Sequence, residues 1–192
     1  MTICIYGAAS DRIKKIYIDE TYELAKALAT AGHSLIFGAG SSGVMGAAAR
    51  GFKDGGGKVH GVIPFFFEEN GFEKIFYEAD KITRTDTMAE RKLIMEDGCD
   101  AFIIAPGGIG TLEEFFEALT LKQLGRHKKA VIVYNLDGYY DKLREFFDIM
   151  VEEKFVNTEC EKLFSFFSKR EEIIRYLETY SSDDITWNLL KK

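Results

Sequence analysis

The stretch Leu35–Gly46, LIFGAGSSGVMG, follows an apolar run and carries Gly38, Gly40 and Gly43 in the pattern G-x-G-x-x-G. After a strand and at the opening of a helix, that pattern is a dinucleotide-binding fingerprint. A dinucleotide fold places the loop after its first strand and sets an acidic residue ~20 positions later to grip the ribose hydroxyls. Here an earlier strand, TICIYG, precedes the loop's own strand, HSLIFG. The next strand, KVHGVIP, ends without Asp or Glu, and Asp54 falls too early, in the turn before it. The stretch therefore argues for an α/β fold and against NAD. Its glycines also suit tight turns and close helix packing.

Working outward, short apolar runs alternate with helical periods. Residues 14–31 predict a helix with Tyr17, Thr21, Leu24 and Leu28 on one stripe. A helix follows from Gly43 to about Lys53, and Pro64 ends the third strand. The segment 65–80, FFFEENGFEKIFYEAD, has no clean period and reads as a mobile or interface loop. KITRT predicts a short strand, and DTMAERKLIMEDG a helix closed by Gly98. DAFIIAPGG reads as a buried strand running into a Gly-rich turn. TLEEFFEALTLKQLG then predicts a helix with Leu112, Phe115, Phe116 and Leu119 on one face. KAVIVYN, a helix over 139–153, KLFSFFS and a helix near 169–178 complete the series, and the tail SSDDITWNLLKK is weakly specified. This alternation predicts one Rossmann-like, doubly wound domain over 1–192, with a mostly parallel sheet and helices on both faces. Ligands in such sheets bind outside the carboxyl ends of the strands, where both Gly-rich loops fall.

Composition narrows the function. The chain has 192 residues and a formal net charge of -6, with 46% hydrophobic and 29% charged residues. An acidic chain lacks the clustered Lys and Arg that nucleic acids demand. No apolar run approaches the ~20 residues needed to span a bilayer, and the N-terminus has no leader pattern. Three isolated cysteines, Cys4, Cys99 and Cys160, suggest reduced thiols in the cytoplasm. His33, His60 and His127 are scattered, and no metal-ligand spacing appears, so no metal is expected.

The more specific signal is PGGIGTLEE, Pro106–Glu114. Pro106 stops a strand, and Gly107, Gly108 and Gly110 free the backbone. Thr111 opens a helix, so successive N–H groups and the helix dipole favour an anion. No Lys follows the glycines, so a monophosphate ester fits better than a nucleoside triphosphate. Thr111 and Glu114 also stand at capping-box spacing, as do Thr87 and Glu90, and capping alone could explain both pairs. Glu113, Glu114 and Glu117 nevertheless crowd carboxylates beside an anion loop. That pairing makes sense where positive charge develops, as in cleavage at an anomeric carbon. Arg91, in MAERK, would supply a cation early in its helix, against the dipole; on that segment alone it reads as a solvated surface residue.

GAGSSGVMG, MAERK and PGGIGTLEE, in that order and spacing, resemble the signature blocks of the LOG-type cytokinin riboside 5′-monophosphate phosphoribohydrolases, often mislabelled as lysine decarboxylases. The resemblance is clearest over residues 1–150 and includes KQLGRHKKAVIVYNLDGYYDKL. It implies a Rossmann-like fold and hydrolysis of a purine riboside 5′-monophosphate to free base and ribose 5-phosphate, with no cofactor. It implies Arg91 and Glu114 as the catalytic pair. Gly107, Gly108, Ile109, Gly110 and Thr111 would hold the 5′-phosphate, helped by Gly40, Gly43 and Gly46, while Lys92 and Thr120 would line the pocket. Family members are dimers or larger assemblies with the site near a subunit interface. Here Ala8 follows Gly7 where the family usually has Ser, which removes a possible hydroxyl contact, and residues 65–87 match poorly. The alternatives are a non-catalytic nucleotide-binding or cofactor-carrier protein on the same scaffold, an NAD(P) oxidoreductase, and a pyridoxal phosphate-dependent lysine decarboxylase.

Overall fold

Ile3, Cys4, Ile5 and Tyr6 are all buried, as a strand covered on both faces requires. They form β1 (Thr2–Tyr6) at the centre of a seven-stranded sheet with β2 (Ser34–Phe37), β3 (Val59–Pro64), β4 (Lys81–Thr85), β5 (Ala101–Ile104), β6 (Ala130–Tyr134) and β7 (Ser165–Phe167). The computed structural model describes residues 1–71 and 73–181; most of the sequence's weakly specified tail lies outside them. The strand order is β4-β3-β2-β1-β5-β6-β7, and every pairing between these strands is parallel.

The helices are α1 (Lys15–Thr30), α2 (Gly43–Asp54), α3 (Phe65–Glu69), α4 (Met88–Asp97), α5 (Ile109–Gln123), α6 (Asp141–Glu152) and α7 (Arg170–Thr179). Alternate residues of the central strands feed two cores. Ile3 and Ile5 join Leu24, Leu28, Phe52 and Ile173 beneath α1, α2 and α7. Cys4 and Tyr6 join Met95, Phe115 and Phe147 beneath α4, α5 and α6. The expected stripe of α1 is buried throughout, at Tyr17, Thr21, Leu24 and Leu28.

Strand order reverses between β1 and β5, so the loops after β1, β2 and β5 converge at the carboxyl edge. Three sequence expectations change in detail. Segment 65–80 contains a short helix, α3, after Pro64, and Glu68 anchors it by accepting from Arg84 Nε at 2.7 Å and Nη2 at 2.9 Å. The rest of that segment is seated on the first Gly-rich loop: Phe76 N–H donates to Ala39 O at 2.8 Å, and Ser41 N–H to Lys74 O at 2.7 Å. Helix α5 opens at Ile109, two residues before Thr111, and Phe116 on that helix is exposed while Phe115 carries the core contact.

Candidate active site

The start of α5 is shaped from behind. Three consecutive carbonyls of the preceding loop have donors: Ala105 O from Tyr140 Oη at 2.8 Å, Pro106 O from Ala8 N at 3.0 Å, and Gly107 O from Tyr139 Oη at 2.6 Å. Gly107 is required because a Cβ there would lie 2.1 Å from Thr111 Oγ1. Gly108 is the N-cap, no side chain caps the helix, and its first turn holds no acid. The first N–H groups of α5 are thus left for a ligand.

The capping ambiguity resolves differently at its two occurrences. Thr87 is the N-cap of α4 and accepts from Glu90 N at 3.1 Å, while Glu90 accepts from Asp86 N at 2.9 Å. Thr111 is the third residue of α5, inside the helix, so Glu114 has no capping task. It projects from the second turn toward the cleft.

Arg91 is a correction to the surface reading. It is 5% exposed. Its Nε donates to Val62 O at 3.1 Å and its Nη2 to Gly38 O at 3.0 Å, and its guanidinium lies 5.5 Å from the Phe67 ring centre. Gly38 makes this seat possible, since a Cβ there would stand 1.8 Å from Nη2. The first glycine of the opening stretch therefore serves an arginine, and no dinucleotide is needed to explain it.

A cleft of about 260 Å³ lies between these parts, lined among others by Ala8, Met45, Phe67, Glu73, Arg91, Thr111 and Glu114. Burial pushes the half-buried Glu114 carboxyl up from 4.5 to about 7; Arg91 opposes the rise, and Glu113 and Glu73 add to it. Burial also raises Glu73, again opposed by Arg91, and Glu73 Oε2 is buried without a hydrogen-bond partner. Two carboxyls and one arginine thus share a partly dry space in which charge interactions are strong.

Comparisons with known proteins show the family. A family model described as possible lysine decarboxylase matches residues 45–177. The chain is 38% identical over 178 residues to the cytokinin riboside 5′-monophosphate phosphoribohydrolase LOG of Oryza sativa subsp. japonica, covering 93% of this chain and 73% of the rice protein. It is 37% identical over 179 residues to a LOG phosphoribohydrolase of Arabidopsis thaliana, covering 93% of this chain and 82% of that one. The chain belongs to the LOG family. Among solved structures, the molybdenum cofactor carrier protein of Chlamydomonas reinhardtii superposes with a TM-score of 0.70 at 24% identity, over 92% of this chain and 95% of that one. At that identity the match speaks for the fold alone.

The residues expected from the sequence do not all converge. Arg91, Gly108, Gly110, Thr111 and Glu114 line the cleft, with Gly107 behind them, whereas the Ile109 side chain is exposed. Gly40, Gly43 and Gly46 do not line it. Gly43, at φ 59°, gives its N–H to Asp11 Oδ1 at 2.7 Å, so the start of α2 is already occupied by a carboxylate of this chain. Gly40 forms a bridge to Ile75, and Gly46 packs against Ser41. Lys92 does not line the cleft itself; it forms an ion pair with Glu113, which does, and another with Glu117 at 2.6 Å. Thr120 lies further along α5 in a separate shallow depression with Phe116 and Glu117. Glu73 and Phe67 went unnoticed because their segment shows no period. Among the described residues, no group of three or more His, Cys, Asp or Glu could hold a metal ion.

Proposed function

We propose that the cleft hydrolyses the N-glycosidic bond of purine riboside 5′-monophosphates, giving free base and ribose 5-phosphate. The observation that carries this reading is the uncapped start of α5 with Glu114 one turn further on, facing a buried Arg91. The 5′-phosphate accepts N–H groups from residues 108–111 and the Thr111 hydroxyl. The ribose then lies against Glu114. As the C1′–N9 bond breaks, its electron pair leaves with the base, and the carboxylate stabilises the positive charge on the sugar. Water adds to C1′ and gives a proton to Glu114, while the departing base takes one from solvent. Arg91, fixed by two backbone carbonyls, lowers the cost of ionising Glu114. The reaction consumes only water, so the reading calls for no cofactor.

The named activity of the rice and Arabidopsis relatives supports cytokinin monophosphates as substrates, with adenosine monophosphate as the simpler case. The test is chromatography of free base after incubation with adenosine, isopentenyladenosine, inosine and guanosine monophosphates. Release from the first two supports the reading, and release from none overturns it.

The reading extends to assembly and compartment. Leu93 on α4, Phe116 on α5 and Leu124 just past its end, and Phe146 and Ile149 on α6 are exposed on the side of the sheet that these helices cover. They suit a second copy of the chain, which would place Lys92 and Thr120 near the interface; light scattering at the monomer mass would contradict a homodimer. No helix among the described residues is long and apolar enough to cross a membrane. Three buried free cysteines accord with a reducing, cytoplasmic setting.

A further inference from the structure

The sequence NLDGYYD, Asn135–Asp141, follows β6 and takes no part in the cleft's lining. It is nevertheless built to one conformation. Asn135 Oδ1 accepts from Tyr140 N at 2.7 Å, and Asn135 Nδ2 donates to Asp141 Oδ1 at 2.7 Å. Asp137 (φ 51°) and Gly138 (φ 68°) turn the chain through the left-handed region, and Lys14 Nζ reaches Asp137 Oδ2 at 2.8 Å. The turn delivers two adjacent tyrosines to the back of the anion loop, their rings 4.8 Å apart and nearly perpendicular. Tyr139 also packs edge-on against Tyr17, with ring centres 5.4 Å apart.

Each tyrosine hydroxyl holds one loop carbonyl, but the two bonds have different consequences. In a trans peptide the carbonyl and the following N–H point in opposite directions. Tyr139 pulls the Gly107 carbonyl backward at 2.6 Å, so the Gly108 N–H faces forward, on the side of the cleft that Gly108 lines. Tyr140 holds the Ala105 carbonyl at 2.8 Å, and the next residue is Pro106, which has no N–H to aim. Gly107 and Gly108 are otherwise free to rotate this peptide, because neither has a side chain that restricts it.

We infer that Tyr139 is a positioning residue for anion binding: its hydroxyl fixes the Gly107–Gly108 peptide so that the Gly108 N–H donates to the phosphate of the ligand. This rests on the proposed phosphate site but not on turnover.

The experiment compares Tyr139→Phe with Tyr140→Phe in the full chain. Calorimetry measures the Kd for ribose 5-phosphate and for inorganic phosphate, steady-state kinetics measures KM and kcat for adenosine monophosphate, and thermal melting reports folding. Tyr139→Phe should weaken both phosphate ligands and raise KM by about tenfold, the loss of roughly one oriented hydrogen bond, with kcat within about threefold and an unchanged melting temperature. Tyr140→Phe should lower the melting temperature and leave Kd within about twofold, since the Ala105 carbonyl that it frees precedes Pro106, which has no N–H to turn toward the phosphate. An unchanged Kd in Tyr139→Phe, an equal weakening by both variants, or a Tyr139→Phe chain that does not fold overturns the inference. If wild type releases no base, the proposed reaction fails, while the Kd comparison still decides this point.

Discussion

Glu114 should make the folded protein less stable than it would be without its charge. Burial takes its carboxyl from 4.5 to about 7, so the folded chain holds that proton more tightly than the unfolded chain does. Stability therefore falls as pH rises through this interval and levels off above it. Removing the ionisable group should recover about 3 kcal/mol above pH 7, the free-energy equivalent of that displacement, and nothing below the unfolded value. Glu73 shares the cleft, and relieving its repulsion adds in the same direction. The perturbation is Glu114→Gln, nearly isosteric and unable to ionise. Urea unfolding of both chains should show the variant more stable near pH 8.5, with the gap closing toward pH 4. At the same time the variant should lose turnover, because the carboxylate that destabilises the empty cleft is the one that stabilises the cationic sugar. A variant less stable than wild type near pH 8.5, or an offset that does not change with pH, would refute the reasoning.

Gly38→Ala should displace Arg91, since the new Cβ would stand 1.8 Å from its Nη2. Losing two charge-assisted bonds should cost roughly 2–4 kcal/mol in unfolding and at least ~100-fold in kcat/KM; an active, fully stable variant would contradict the Arg91 seat. In wild type, kcat/KM for adenosine monophosphate should rise with pH and level off above about 7, following ionisation of Glu114. A rate that falls over that range would reverse the assignment. Asp11→Ala should lower the urea midpoint, because the Gly43 N–H loses its acceptor, and should leave ribose 5-phosphate affinity unchanged. Weakened binding would instead place the phosphate at the start of α2.

The strands and the long helices were readable because their signals are local: alternation of apolar runs, the stripe of α1, and Pro106 stopping β5. The site was readable only in part, because its decisive contacts are distant in sequence. Arg91 reads as a surface residue from its own segment, yet it bonds to carbonyls 29 and 53 residues earlier. Asp11 accepts from the Gly43 N–H across 32 residues, a contact that no local pattern in the opening stretch shows. Thr87–Glu90 and Thr111–Glu114 share one spacing, and only the starting point of each helix separates a cap from a site. Glu73 lies in a segment whose order comes from its seat on Ala39 and Ser41, a tertiary contact that leaves no period behind.

The central claim is that this cleft cleaves a phosphorylated nucleoside through Glu114. The most direct test follows adenosine or isopentenyladenosine monophosphate with the purified chain, measuring free purine and ribose 5-phosphate together. Equal amounts of the two products from wild type, and neither from Glu114→Gln while ribose 5-phosphate still binds it, is the predicted result. Undiminished product from Glu114→Gln, or none from wild type, would contradict it.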